Sequence, residues 1–311
     1  MRYRVSHTTT YEYEELVSIG HNEVRLEPRV TSTQVCLSSE LVIEPTPAVR
    51  ASGRDYFGNP TSFFTLQEPH HRMVLIAKSE LGLAAARDPE PGAGPAWDAL
   101  REGLRGDVSV AGLGAREMTF ASDFVPVSPV FAAYAQPSFE PGRPIFDAVR
   151  DLTRRVHGEF EYRPGATSVT TPVADVLEQR HGVCQDFAHL QIACLRALGL
   201  PARYVSGYIH TRAPEGRPPE DRPPEERPRE AQPADDRARL VGADASHAWL
   251  SVWCGEAGWV DVDPTNDLVV GDQHVTLAWG RDYGDVSPIK GVILGGGGHA
   301  IEVAVNVTAL D

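Results

Sequence analysis

The sequence predicts an α+β protein, in which an N-terminal antiparallel β domain of sandwich-like architecture precedes a mixed core of helices and strands. Short runs of β-branched and aromatic residues alternate with polar residues through residues 1–82, as in half-buried strands. From Pro144 onward, apolar residues recur at spacings of three and four, which indicates helices. The length of 311 residues suits about two domains.

Composition and charge exclude several classes of protein. The formal net charge is −14, and no dense stripe of Lys and Arg offsets it, so a nucleic-acid partner is not expected. No run of about 18 apolar residues occurs, so we expect no membrane span and no membrane partner. The opening MRYRVSHTTTYEYEE contains no apolar signal core, and a cytoplasmic protein is therefore expected. The oligomeric state stays open.

The predicted domains follow shifts in composition along the chain. Residues 83–143 are rich in Pro and Gly and are interpreted as a connecting segment with short helices. The core is expected over 144–270, and 271–311 is expected to form a C-terminal β tail. Residues 213–239 hold seven prolines, eight acidic and six basic residues, and no aromatic or β-branched residue. Such a segment cannot bury enough apolar surface to fold, which predicts a disordered insertion.

Three helices are predicted in the core. The first follows Pro144, and the second covers residues 172–180 with Thr171 as its N-cap. The third covers residues 184–198 and ends at a Gly-Leu-Pro exit signal. A helical projection of this third helix groups its apolar residues on one face and places His189 on the opposite, polar face, where we expect it to be solvated.

Strands and a hairpin are expected after the third helix. Gly255–Gly258 is interpreted as the hairpin turn. Because the turn folds the last strand back along the previous one, His247 and Asp263 are candidates to lie close together at the strand ends, although the stagger does not make them a direct pair. The predicted strands are Ala202–His210, His247–Trp253 and Trp259–Asp263.

Cysteine usage points to one reactive thiol. Cys184 lies where the third helix begins, and the partial positive charge of a helix N-terminus favours a thiolate. Cys36, Cys194 and Cys254 lie in strand or apolar-helix patterns and are expected to be packed. No CxxC pair and no second pair of metal ligands accompany His181-x-x-Cys184, so neither a metal ion nor another cofactor is expected.

Three motifs in order give this chain a family resemblance: GVCQDFAH at 182–189, SHAW at 246–249 and WVDVDPTN at 259–266. They resemble the transglutaminase-like superfamily, a papain-related Cys–His–Asp group that includes transglutaminases and many bacterial cysteine peptidases. The segments NEVRLEP at 22–28 and DYFGN at 55–59 resemble the β domain that precedes such cores in bacteria.

The resemblance implies a role for each motif residue. Cys184 would be the nucleophile, His247 the general base and acid, and Asp263 the carboxylate that orients the imidazole. Asp261, two residues earlier on the same strand face, is the alternative carboxylate. The backbone N–H of Cys184 would donate to an oxyanion, and Tyr162 is a candidate for the second donor.

The expected activity is cysteine-dependent hydrolysis of an amide or peptide bond, with a protein, a peptide or a small amide as substrate. Acyl transfer to an amine is the enzymatic alternative, although nothing in the chain resembles the calcium-binding loops of animal cross-linking enzymes. A catalytically idle binding module that retains the fold is the non-enzymatic alternative. A metal-dependent hydrolase is disfavoured by the missing ligand spacing.

Overall fold

The computed structural model describes residues 1–84, 89–210 and 246–310. The predicted disordered insertion, 213–239, lies outside these residues. The strands in the described ranges are β1 (Arg2–Val24), β2 (Gln34–Glu44), β3 (Val49–Arg54), β4 (Pro60–Leu66), β5 (His70–Leu83), β6 (Glu161–Tyr162), β7 (His181–Gly182), β8 (Ala202–Ile209), β9 (His247–Trp253), β10 (Trp259–Asp263), β11 (Leu268–Val269), β12 (His274–Gly280), β13 (Ile289–Gly295) and β14 (His299–Ala309). The α-helices there are α1 (Trp97–Gly106), α2 (Val110–Glu117), α3 (Pro129–Ala135), α4 (Ile145–Glu159), α5 (Val173–Gln179), α6 (Cys184–Ala197) and α7 (Tyr283–Val286).

The N-terminal strands form one continuous antiparallel sheet. Its order is β2-β5-β1-β4-β3, and β13 and β14 also pair with β1. The 23-residue β1 pairs with β5 and β14 along its first half and with β4 and β13 along its second half. A register irregularity between Glu12 and Val17 separates the two halves. The α+β class and the antiparallel N-terminal sheet are confirmed, and one long strand serves both halves of that sheet.

A second antiparallel sheet carries the core, in the order β11-β10-β9-β8-β12. Residues 271–311, expected to form one tail, contribute to both sheets: β12 is an edge of the core sheet, whereas β13 and β14 complete the N-terminal sheet. This division needed pairings between residues about 300 positions apart, such as Tyr3 with Ala309. Local sequence patterns carry no information about such pairings.

Helix α6 is enclosed along most of its length, and the prediction that His189 is solvated is wrong. His189 is 3% exposed and Arg196 is 2% exposed. The Arg196 guanidinium donates to the carbonyl oxygens of Met118, Ala202 and Arg281, so its burial leaves the donors satisfied. These polar residues of α6 therefore lie inside the protein, where Arg196 forms internal hydrogen bonds.

The remaining helix boundaries are close to the predicted ones. Pro172 is the N-cap of α5, one residue later than the predicted cap, and the Thr171 hydroxyl instead accepts a hydrogen bond from the backbone N–H of Ser168. The connecting segment contains three α-helices, α1 to α3. No helix among the described residues is both long and apolar enough to cross a membrane.

Candidate active site

Cys184 is the first residue of α6 and is partly exposed. The turn before it is held by Asp186, whose Oδ2 accepts from the backbone N–H of Val183 at 2.8 Å and from the hydroxyl of Thr167 at 2.6 Å. This arrangement needs Gly182, because a Cβ there would lie 2.8 Å from the Cβ and Oδ2 of Asp186. Burial raises the pKa of Asp186, although these two hydrogen bonds oppose the rise. Asp186 thus caps the start of α6 through its side chain.

The β9–β10 hairpin brings His247 to Asp263. Its register pairs Asp261 with Ser251 and Val262 with Leu250, which leaves Asp263 diagonal to His247. The His247 Nε2 lies 2.9 Å from Asp263 Oδ2, and neither side chain is exposed. Because a carboxylate only accepts, the imidazole donates from Nε2. Its Nδ1 is buried and makes no hydrogen bond within the described residues.

The electrostatics of this pair favour an ion pair. Burial alone disfavours the imidazolium, but the negative charges of Asp263 and Cys184 raise the pKa of His247 from 6.5 to about 10. Burial also opposes ionisation of Asp263, yet His247 and His274 together hold the pKa of that carboxyl well below its usual range. Cys184 is thus among the groups that raise the pKa of His247.

His274, on β12, is a site residue that sequence reasoning missed. Its Nε2 lies 3.2 Å from the same oxygen, Asp263 Oδ2, which also accepts from Asn266 Nδ2 at 2.7 Å. The other carboxylate oxygen accepts from the backbone N–H of Thr265 at 2.9 Å. His274 lies in a segment predicted as a tail, eleven residues after Asp263. No local spacing rule relates it to the motifs.

The residue that lets β12 take part is Gly207, on β8 between β9 and β12. Gly207 pairs with His247 on one side and with Thr276 on the other. A Cβ at this position would lie 2.0 Å from the carbonyl oxygen of Val275 and 2.4 Å from the indole of Trp249. A glycine inside a strand indicates that neighbouring atoms approach its backbone closely. Gly207 was therefore the sequence signal for the close packing of β12.

The ligand atoms of His247, Asp263 and His274 lie within 4.8 Å of one another, so the described residues contain one donor set that could hold a metal ion. The set was not expected, since its members come from three strands. Asp263 Oδ2 already accepts three N–H hydrogen bonds, and a metal ion would have to displace them. The observed geometry is therefore that of a hydrogen-bonded network.

Asp261, the alternative carboxylate, has different partners. One of its oxygens accepts from the Trp249 indole N–H at 3.1 Å, and the other accepts from the Ser251 hydroxyl. Asp261 contacts Ser251, directly opposite on β9, and Trp249, its diagonal neighbour. Asp263 contacts His247 instead. The strand register separates the two aspartates.

The remaining candidates have surroundings of their own. Burial raises the pKa values of the Cys194 and Cys254 thiols, and it also raises that of Cys36. Tyr162 lies in β6 beside β7, with its ring 6.4 Å from that of Phe187. The structure thus places Cys184, His247 and Asp263 together and the other cysteines elsewhere.

Two family models match this chain. The family model described as "Bacterial transglutaminase-like N-terminal region" matches residues 3–81, and "Transglutaminase-like superfamily" matches residues 132–264. An uncharacterized protein of Mycobacterium tuberculosis is 38% identical over 322 residues, which cover 100% of this chain and 93% of the relative. The chain belongs to the transglutaminase-like superfamily.

Two further similarities bear on this superfamily member. A protein-glutamine gamma-glutamyltransferase of Pseudomonas aeruginosa is 33% identical over 116 residues, which cover 37% of this chain and 14% of that enzyme. A solved structure described as "a Putative Cysteine Protease from Cytophaga hutchinsonii" has a TM-score of 0.72 at 21% identity, with 100% of this chain and 91% of that chain covered. The second similarity shows the shared fold.

Proposed function

We propose that this protein hydrolyses an amide or peptide bond through a thioester acyl-enzyme formed on Cys184. The observation that carries the proposal is the fully buried His247–Asp263 pair, joined at 2.9 Å, beside a partly exposed thiol at a helix start. A nucleophilic cysteine requires a base, a group that orients the base and a field that stabilises the thiolate. All three requirements have a residue here.

Acylation uses the charge already present in the pair. The Sγ of Cys184 attacks the substrate carbonyl carbon, and His247 gives its proton to the leaving nitrogen as the C–N bond breaks. The amine leaves, and the acyl group remains on sulfur as a thioester. Asp263 keeps its charge and holds the imidazole through Nε2, which leaves Nδ1 as the nitrogen that would exchange the proton.

Deacylation reverses the role of the histidine. His247, now neutral, accepts a proton from a water molecule whose oxygen attacks the thioester carbon. The C–S bond breaks, the acid product leaves, and the thiolate and imidazolium are restored. The oxyanion in both steps would accept from the backbone N–H of Cys184, which lies in the first turn of α6 and has no partner within the helix ladder.

The similarity to a protein-glutamine gamma-glutamyltransferase supports acyl transfer to an amine as the second candidate. Both reactions share the thioester and differ only in whether water or an amine attacks it. The acceptor is therefore an outcome to measure. A catalytically idle module would instead form no covalent adduct.

The test is profiling of peptide amides and small amides with the purified protein, with intact-mass detection of an acyl adduct. Wild-type protein should release the acid product, and Cys184→Ala should release none. Cys36→Ala is the matched control, because Cys36 is a partly exposed thiol on β2 and should retain full turnover. Added primary amine should divert the adduct if transfer is the activity. Turnover by Cys184→Ala equal to that of the wild type would refute the proposal.

A further inference from the structure

We propose that His274 is a positioning residue for the His247–Asp263 pair, and that the N-terminal sheet holds His274 in place by gripping β12 with two side-chain amides. The inference rests on the proposed function, because it concerns the pair that would activate Cys184. It assigns a catalytic contribution to a domain that lies outside the three core motifs.

His274 is buried and makes its hydrogen bond to Asp263. The residue is 4% exposed, and its ring packs edge-on against Trp249 with 5.2 Å between the ring centroids. Its Nε2 meets Asp263 Oδ2 at 3.2 Å, while its Nδ1 has no hydrogen-bond partner in the described residues. The imidazole is thus dedicated to one carboxylate oxygen, with no second hydrogen bond to justify its burial.

Two imidazoles on one oxygen restrict how the carboxylate can rotate. His247 approaches Asp263 Oδ2 at 2.9 Å and His274 approaches it at 3.2 Å, from β9 and β12 on opposite sides of β8. A carboxylate held from both sides presents a fixed lone pair to the base. Support of this kind, from groups behind the reacting residues, keeps catalytic side chains in productive geometry.

Strand β12 needs external support because it is an edge. It pairs with β8 alone in the core sheet, and its register shifts between Thr276 and Ala278. The free backbone groups on its other side are taken by the N-terminal domain. Gln34 donates to the Thr276 carbonyl at 2.7 Å and accepts from the Thr276 N–H at 2.8 Å. A side-chain amide here replaces the backbone of a neighbouring strand.

Asn59 repeats this contact three residues further along β12. Its Nδ2 donates to the Trp279 carbonyl at 2.8 Å, and its Oδ1 accepts from the Trp279 N–H at 3.0 Å. Gln34 is 4% exposed and Asn59 is fully buried. Two amides that each exchange a pair of hydrogen bonds with one strand define its position along its length.

The Asn59 amide is braced by charged residues of the N-terminal domain. Arg29 donates from Nη1 to Asn59 at 2.6 Å, and its guanidinium lies 3.5 Å from the centroid of the Trp279 ring. Asp55 accepts from Asn59 Nδ2 at 2.8 Å and from Arg25 at 2.9 Å. The segments 22–28 and 55–59, singled out by resemblance, therefore include Arg25, Asp55 and Asn59, and Arg29 directly follows the first segment.

The titratable groups around the pair come from four elements. Cys184 of α6, Asp263 of β10 and His274 of β12 face His247. His157 of α4 meets the carbonyl of Thr265, beside Asp263, and Asp261 is engaged with Trp249 and Ser251. A change at His274 therefore reaches His247 through Asp263.

The test is the pH profile of Cys184 alkylation by iodoacetamide, measured for the full-length protein. Its upper step reports loss of the proton from His247, and it requires no substrate. His274→Leu should lower this step by about one pH unit, the change expected if the contact from His247 to Asp263 lengthens from 2.9 Å to about 4 Å at an effective dielectric constant of about 20. His274→Gln, which can donate from a similar position, should return the step most of the way to its wild-type pH.

Two further variants separate positioning from loss of packing. His7→Leu is the matched control: His7 is a buried histidine that bonds Tyr208 of the core at 2.8 Å and is not among the hydrogen-bond partners of Asp263, so its profile should match the wild type. Gln34→Leu should shift the step in the same direction as His274→Leu, by less. It also carries the test if His274→Leu does not fold.

The outcomes distinguish this inference from the proposed function. A wild-type profile in which Cys184 reacts no faster than the other cysteines would sink the proposed function. A normal wild-type profile with no shift in His274→Leu, or with an equal shift in His7→Leu, would overturn the positioning role alone. If His274→Leu is unfolded, an unshifted Gln34→Leu overturns it.

Discussion

Replacing Asp263 by asparagine tests the candidate site most directly. The substitution keeps the shape of the side chain but turns one acceptor into a donor. Asp263 Oδ2 now faces N–H groups of His247, His274 and Asn266, and Oδ1 faces the backbone N–H of Thr265. An amide cannot accept at both ends. If its oxygen keeps the backbone contact, its NH2 group meets His247 Nε2 and forces the opposite tautomer on the imidazole.

The magnitude follows from the contact distance. Opposite unit charges 2.9 Å apart interact by about 6 kcal/mol at an effective dielectric constant of about 20, which corresponds to about four pKa units on His247. The pKa of His247 should then fall from about 10 to near its ordinary range, so that most of the imidazole is neutral at pH 7. In a serine triad the equivalent change costs roughly 10⁴ in turnover. A thiolate needs less help, so we expect a loss of about 10²–10³.

The assay is turnover of the best amide found by profiling, together with the alkylation profile of Cys184. Asp261→Asn is the matched control on the same strand. Its amide can still accept from Trp249 or Ser251, so a cost of about 1 kcal/mol in stability and a small change in turnover are expected. A crippled Asp261→Asn beside an active Asp263→Asn would show that the register argument names the wrong carboxylate.

Three other predictions concern the thiols, the pH response and metal ions. At limiting iodoacetamide, mass mapping should find Cys184 labelled first, because burial raises the pKa values of the three other thiols; faster labelling of any of them contradicts this. Burial lowers the pKa of His189 to about 4, below its unfolded value of about 6.5, so its contribution to stability is complete above pH 6.5 and is lost as the pH falls towards 4. The free energy of unfolding measured in urea should fall by about 3 kcal/mol between pH 6.5 and pH 4, and His189→Phe should flatten this pH dependence. An unchanged pH dependence in the variant would refute the prediction. Dialysis against EDTA should leave turnover unchanged, since hydrogen bonds already occupy the metal-capable donor set; loss of activity with recovery on added zinc would contradict this.

The local elements of the core were readable from the sequence because their signals are local. The strands His247–Trp253 and Trp259–Asp263 and the start of α6 at Cys184 have the bounds that alternation, the Gly turn and the helix-start pattern predicted. Residues of one hairpin are close in sequence, so a short turn suffices to bring them together. The same locality made both aspartates of β10 visible as candidates.

Burial of polar residues was not readable. His189 and Arg196 lie on what the sequence pattern predicts to be the solvent-exposed face of an amphipathic helix, yet both are buried. The side chain of Arg196 is acceptable inside because carbonyl groups from three separate segments point at it, and His189 because the backbone N–H of Tyr283 donates to its Nε2 at 3.1 Å. Partners that arrive from distant segments leave no mark on the helix itself.

The sequence by itself determined the candidate residues for the proposed chemistry, since a thiol at a helix start and the flanking motifs are local features of the chain. Only the tertiary structure decided which groups surround Asp263. His274 reaches that carboxylate from an edge strand, past Gly207, and the edge is held by Gln34 and Asn59, more than 200 residues earlier. The physical reason is that hydrogen bonds to a buried carboxylate depend on strand order and register, which arise from long-range pairing.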